Sequence, residues 1–198
     1  MVSRPMVSAA FNDQLGTLTA ALDDPGTDLH VILDVLVDDL IGAVSSFLGL
    51  RMTLQSDWCP VTLTAVDPDL ALGAGASLAL PLGRSTGAEA GGTIVFYAGH
   101  PGAFVDLAAD TRFAYGLDGQ VVLDRHLPSP GTTFPAPGIS GLTEASTINQ
   151  AIGVLIGNGH TPDDAHRVLQ HHADRAAVPL HQAAQRIMNN PTAPGACD

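Results

Sequence analysis

A stretch rich in proline and glycine divides this chain into two parts. Residues 127–141, LPSPGTTFPAPGISG, contain four prolines and three glycines in fifteen positions. Proline lacks a backbone donor and glycine favours turns, so this composition indicates a linker rather than a regular element. We therefore predict two modules, residues 1–126 and 142–190, followed by a disordered tail at 191–198.

The first module combines helical spacing with strand-like runs. Apolar residues recur every three or four positions over residues 7–23 and 27–49, which predicts two amphipathic helices. Turn residues then separate four runs rich in β-formers, which are RMTLQ, CPVTLTAV, ASLALPLG and GTIVFYAG. A further helix is predicted over 101–116, and QVVLD fits either a strand or a helical extension. The order predicts an α+β fold with an antiparallel sheet flanked by helices.

The second module shows three helical patterns, Leu142 to Ile156, Pro162 to Asp174 and Leu180 to Met188. The start of the middle helix is the clearest, because Thr161 can cap it and Pro162 suits the first helical position. Each pattern carries one apolar stripe, so the three helices are predicted to form a small three-helix bundle.

The charge of the chain restricts its partners. Eight arginines face twenty acidic residues, which gives a net charge of −12 at pH 7. The field of the whole molecule therefore repels phosphate backbones and anionic membranes. Nucleic-acid binding has to use a local patch.

One such patch lies on the middle helix of the second module. Arg167, His171 and Arg175 are spaced by four residues and are predicted to share an exposed face, with His181 and Arg186 on the next helix. These five residues are the predicted RNA-binding set. A solvated helix face without function is the alternative, because acidic residues lie among them.

Motifs for enzymatic chemistry are missing from the sequence. LGAGAS (72–77) lacks the third glycine of a dinucleotide fingerprint, and no G-x-S-x-G nucleophile motif occurs. The histidines at 166, 171 and 172 lack the four-residue pairing of a metal site. We predict no catalytic residue, no metal, no cofactor and no enzymatic activity.

Two features of the sequence favour a cytoplasmic protein without a membrane segment. Cys59 and Cys197 are far apart, in a chain large enough to fold without a disulfide. The apolar stretch from Leu29 to Leu50 is interrupted by three aspartates.

The order of residues in the second module points to a family. Ile148-x-Gln150-Ala151-x-Gly153-Val154-Leu155 is followed by an acidic pair with Ala165, then Leu169 and Ala173, and finally Leu180 with Ala184. Over residues 142–188 this series resembles the ANTAR family of RNA-binding transcription antiterminators. The resemblance implies a domain, usually dimeric, that binds paired RNA hairpins competing with a terminator. Family members commonly carry basic residues where this chain has Ala145, Gln170 and His171.

The first module resembles a GAF domain in its order of elements and in the phrases PVTLTA and PGAFVDLAAD. The resemblance implies a sensor that controls the RNA-binding domain and holds a small ligand. Five aromatic residues could line the ligand space: Trp58, Phe96, Tyr97, Phe104 and Tyr115. Few charged residues lie in the predicted strands, so the expected ligand is mostly apolar or held by backbone groups.

The two resemblances together predict a cytoplasmic, signal-responsive regulator of transcription termination, and a homodimer that uses the helices at 7–23 and 27–49. The alternative is a protein-interaction or dimerisation regulator whose ANTAR-like domain has lost RNA binding, which the missing basic residues would explain.

Overall fold

The computed structural model describes residues 4–21, 29–55, 59–67, 72–83, 91–116, 120–129 and 135–189. Its helices are α1 (Arg4–Ala21), α2 (Leu29–Ala43), α3 (Val105–Tyr115), α4 (Leu142–Gly157), α5 (Pro162–Ala176) and α6 (Leu180–Asn189). Its strands are β1 (Phe47–Leu54), β2 (Val61–Val66), β3 (Ala76–Leu82), β4 (Gly92–Ala98), β5 (Val122–Leu123) and β6 (Gly138–Ser140).

The chain separates into two compact units. The first comprises Met1–Gln55 and Thr62–Ile139, and the second comprises Ser56–Val61 and Ser140–Asp198. Helices α1 to α3 and the sheet, apart from the end residues Val61 and Ser140, belong to the first unit, and helices α4 to α6 belong to the second. The function of each unit and the domain boundaries stay predictions.

The six strands form one sheet in the order β5-β3-β4-β1-β2-β6. Strand β4 pairs antiparallel with both β1 and β3, and β5 pairs antiparallel with β3. The α+β prediction is confirmed. QVVLD contains the short strand β5, so it is a strand and not a helical extension.

Two local predictions are corrected by the structure. Helix α2 ends at Ala43 rather than near residue 49, because Phe47 already belongs to β1 and pairs with Ala98. The composition of residues 127–141 predicts an irregular linker, but residues 138–140 form β6 beside β2. An edge strand needs few backbone hydrogen bonds, so proline and glycine next to it are tolerated.

The main core lies on the sheet face that the helices cover. Helix α1 contributes Phe11, Leu15 and Leu18, and the ring of Phe11 packs edge-on against Phe96 of β4 at a centroid distance of 5.6 Å. The buried leucines of α2 and the residues Phe104, Leu107 and Ala108 belong to the same cluster. The apolar stripe of α1 is thus used in folding. Leu22, predicted to extend that stripe, lies outside the described residues.

Gly49 is the position where the backbone of β1 permits no side chain. Its φ is +135°, the register with β4 shifts beside it, and a Cβ would point directly at the carbonyl oxygen of Ala65. Backbone atoms of paired strands cannot move aside without disturbing the sheet.

We predict that Gly49→Ala lowers the free energy of unfolding by about 2 kcal/mol or more, through a steric clash and an unfavourable φ. Gly42→Ala is the matched control, because Gly42 is in α2 and a Cβ there meets nothing within 4 Å. The free energy of unfolding of Gly42→Ala should be unchanged or higher by up to about 1 kcal/mol. Urea unfolding of both variants measures the difference, and equal stability would refute this account of β1.

Candidate nucleic-acid interface

A core of small side chains holds the second unit together. Nine residues are buried in it: Ile148, Ala151, Ile152, Leu155, Ala165, Leu169, Ala173, Ala183 and Ala184. Alanine lets helix axes approach closely, and α4 makes its most extensive contact with α6. The predicted bundle of three helices is therefore present, and every long polar side chain of this unit lies outside its core.

A hydrogen-bonded cap fixes where α5 begins. Thr161 has extended backbone angles and its Oγ1 accepts a hydrogen bond from the backbone N–H of Asp164 at 3.2 Å. The same hydroxyl donates to Asp164 Oδ2 at 2.7 Å, and Pro162 occupies the first turn. The predicted helix start is confirmed. The hydrogen bond from Thr161, followed by the charge of Arg167, lowers the pKa of Asp164.

The predicted basic row, which we define as Arg167, His171 and Arg175, lies on one exposed side of α5. At about 100° per residue these side chains span about 80° of the helix circumference. Their centre is roughly opposite Leu169, which is fully buried in the core. The row therefore faces away from the bundle.

Acidic neighbours reduce the charge of the basic row. The guanidinium of Arg167 forms an ion pair with Asp164, which lies on the same side of the helix. Among the described residues, by contrast, Arg175 makes no ion pair. Arg175 is the stronger candidate for a phosphate contact.

The two predicted residues of α6 lie on different sides of that helix. Arg186 is exposed and His181 is half-buried, with the buried pair Ala183 and Ala184 between them in sequence. Five positions of an α-helix correspond to about 140°, so a ligand that contacts one does not reach the other along the same face. The structure thus brings three of the five predicted residues onto one helix face.

Sequence reasoning missed a second exposed face, on α4. We define the α4 outer face as Ser146, Asn149, Gln150 and Gly153, which are all exposed. Gln150 Nε2 donates a hydrogen bond to Ser146 Oγ at 3.2 Å. Amide side chains can both donate to and accept from base edges. The sequence contains this signal, because in Gln150-Ala151-Ile152-Gly153 the middle two residues fall on the apolar stripe and Gln150 and Gly153 fall off it.

Gly153 has no structural role within its helix. It lies in the middle of α4, and a Cβ added there would meet nothing within 4 Å. A glycine in a helix interior costs roughly 0.5–1 kcal/mol relative to alanine. Packing of the unit therefore does not explain this residue.

Cys59 packs against the core of the second unit and donates a hydrogen bond from Sγ to the carbonyl oxygen of Gly141 at 3.6 Å. Burial, with a contribution from the charge of Glu144, raises the pKa of its thiol. A raised pKa disfavours the thiolate, which is the nucleophilic form.

The predicted aromatic lining of a ligand space in the first unit is not assembled. Phe96 and Phe104 lie in the helix-side core, Tyr97 lies in the cluster on the opposite sheet face, and Tyr115 is exposed. Trp58 lies outside the described residues. Alternation along β4 separates Phe96 from Tyr97, since neighbouring strand residues point to opposite faces.

The first unit contains a different cavity, of about 310 Å³, between α2 and strands β1, β2 and β6. Its lining is mostly aliphatic, with the carboxylate of Asp34 as its charged group. Gly138 and Ile139 of β6 form one wall.

Within the described ranges, no group of three or more His, Cys, Asp or Glu side chains is arranged to hold a metal ion. The helices of the same ranges include none that combines the length and the apolar character needed to cross a membrane.

The second unit is a small bundle of three helices with two exposed polar faces, one on α4 and one on α5. Its sequence identifies it further, because residues 140–188 match the ANTAR domain family. ANTAR domains are associated with RNA-binding antitermination regulators, which are generally not enzymes. The match does not extend to the first unit, so its GAF resemblance stays a prediction. Neither the curated proteins nor the solved structures contain a match to this chain.

We predict that Gly153→Ala raises the free energy of unfolding by about 0.5–1 kcal/mol, because α4 gains helix propensity and loses no contact. Ala151→Gly is the opposite exchange on the same helix, at a fully buried position. It should lower stability by about 1 kcal/mol or more. Thermal and urea unfolding measure both, and a loss of stability in Gly153→Ala would reveal a structural role for the glycine.

Proposed function

We propose that this protein is a cytoplasmic regulator that binds paired RNA hairpins through its ANTAR domain and so controls transcription termination, with the first unit as its sensor. The observation that carries the proposal is the family match over residues 140–188, on a unit whose outer faces carry amide, imidazole and guanidinium groups. These groups are the ones that recognise unpaired RNA bases and phosphates.

The distribution of charge supports an RNA contact in the second unit. Residues 140–198 carry three arginines against five acidic residues, a net charge of −2, whereas residues 1–139 carry five arginines against fifteen acidic residues. The repulsion of phosphate is therefore concentrated in the first unit. With three arginines at most, the ANTAR domain has to rely on base recognition more than on charge.

The α4 outer face is suited to the recognition of bases. Asn149 and Gln150 offer donors and acceptors to base edges, and Gly153 beside them presents bare backbone. A nucleotide can approach a glycine more closely than any other residue. We propose that this close approach is the reason for the glycine.

The sensor role rests on how the two units are joined along the chain. Strand β6 forms a wall of the cavity in the first unit, and the chain continues from Ser140 through Gly141 into α4. A ligand in this cavity would favour or disfavour the pairing of β6 with β2. We propose that this pairing in turn changes the population of chains in which α4 can bind RNA. We propose this pairing equilibrium as the signal.

RNA binding is tested with the full chain and a pool of RNAs that carry two hairpins in tandem with randomised loops. An enriched RNA should bind more tightly than the same stems with scrambled loops. The logarithm of its association constant should fall with the logarithm of salt concentration with a slope no steeper than about −2, which is three contacts at roughly −0.7 each.

Substitutions test which residues contact the RNA. Arg175→Ala should weaken binding about fivefold, the equivalent of roughly 1 kcal/mol. Asp164→Asn should tighten it, because Arg167 is released from its ion pair and the amide oxygen can still accept from Thr161. Arg125→Ala, at an exposed position in the first unit, is the control and should have no effect. Absence of any enriched RNA, or equal binding by all three variants, would reject the proposal.

The second candidate function is a dimerisation or protein-interaction regulator without RNA binding, and the exposed side of α2 favours it. Val31 and Val35 lie four residues apart there, with exposed fractions of 60% and 41%. The stripe of α1 is buried, so of the two helices predicted to pair, α2 is the one with apolar surface to offer.

If α2 forms the dimer, Val35→Glu should convert dimer to monomer, because it places a charge in an apolar contact. Asp38→Glu, which preserves charge on the same exposed side, is the matched control. Light scattering after size exclusion measures the mass. A wild-type monomer, or a dimer that survives Val35→Glu, would exclude this interface.

A further inference from the structure

The sheet face opposite the helices carries a group of polar side chains around one arginine. Arg51 lies opposite Val95 in the register of β1 and β4, and Thr53 lies two residues further along the same face. Thr53 Oγ1 is 3.2 Å from Thr62 Oγ1 of β2. Tyr97, two residues from Val95, belongs to the buried cluster on this side. We call these residues the Arg51 face.

One nitrogen of the Arg51 guanidinium, Nε, has no hydrogen-bond acceptor in the described part of the chain. This nitrogen is buried, and among the described residues Arg51 also forms no ion pair. A buried charged donor without an acceptor is strongly destabilising, so such groups persist where something else supplies the acceptor.

The neighbours of Arg51 define the chemistry of the missing acceptor. Threonine hydroxyls and a phenol are neutral donors at pH 7, and burial raises the pKa of Tyr97, with Arg51 acting in the opposite direction. Among the described strands, no residue in register on this face carries a carboxylate. One cation among neutral donors attracts an anion and repels a cation.

We propose that the Arg51 face binds a small anion, a carboxylate or phosphate group, that pairs with the guanidinium of Arg51. The inference rests on the sensor half of the proposed function and adds a second site to it, because Arg51 does not line the cavity beside β6. Because the test measures stability and involves no RNA, its failure and the failure of RNA binding can be told apart.

The experiment is thermal unfolding of the full chain in sodium phosphate and in sodium acetate, each compared with sodium chloride at equal ionic strength. One of the two anions should raise the midpoint saturably, by roughly 5–10 °C at a concentration one hundred times its Kd. Phosphate acting alone identifies a phosphoryl ligand, and acetate acting alone identifies a carboxylate.

Arg51→Met keeps the length of the side chain and removes the charge. It should abolish the shift and, in chloride, unfold no lower than the wild type, because the unsatisfied donor is gone. Arg125→Met, at an exposed turn, should retain the full shift. Arg51→Lys should retain part of it and serves as the second variant if Arg51→Met does not fold.

Three results would overturn the proposal. The first is a wild-type midpoint that neither anion raises above the chloride value. The second is an undiminished shift in Arg51→Met. The third is an equal loss of stability in Arg51→Met in all three salts, which would mean that an acceptor within the chain already satisfies the guanidinium.

Discussion

The close packing of three short helices on alanine side chains is the constraint on which the second unit depends. Five of its nine buried residues are alanines, so its helices have little apolar surface to share and each buries only a narrow stripe. The remaining circumference of α4 and α5 is exposed. A small core of this kind leaves the amide face of α4 and the basic row of α5 free for recognition while the bundle stays folded.

The first unit depends on its antiparallel sheet. Successive side chains of each strand point to opposite faces, so the sheet separates two environments. One face supplies the apolar contacts with α1, α2 and α3. The other holds a smaller cluster together with Arg51 and several hydroxyl groups. The larger apolar core thus lies on the helix side, and the opposite side carries polar groups beside its smaller cluster.

Local signals in the sequence were sufficient for much of this structure. The cap at Thr161, the three C-terminal helices and the α+β class all follow from capping residues and hydrophobic period. The end of α2 did not, because Phe47 continues the helical spacing although it pairs with β4. The position of β6, the packing of Cys59 against the C-terminal core and the burial of Arg51 Nε depend on contacts between distant residues, which periodicity does not report.

The central claim is that RNA lies on the outer sides of α4 and α5. Ultraviolet crosslinking of the full chain to an RNA of two tandem hairpins, followed by mass spectrometry of the peptides, tests it most directly. Crosslinked residues are expected between Ser146 and Arg175, on the exposed sides of the two helices. Crosslinks confined to residues before 139, or none at saturating RNA, would contradict it.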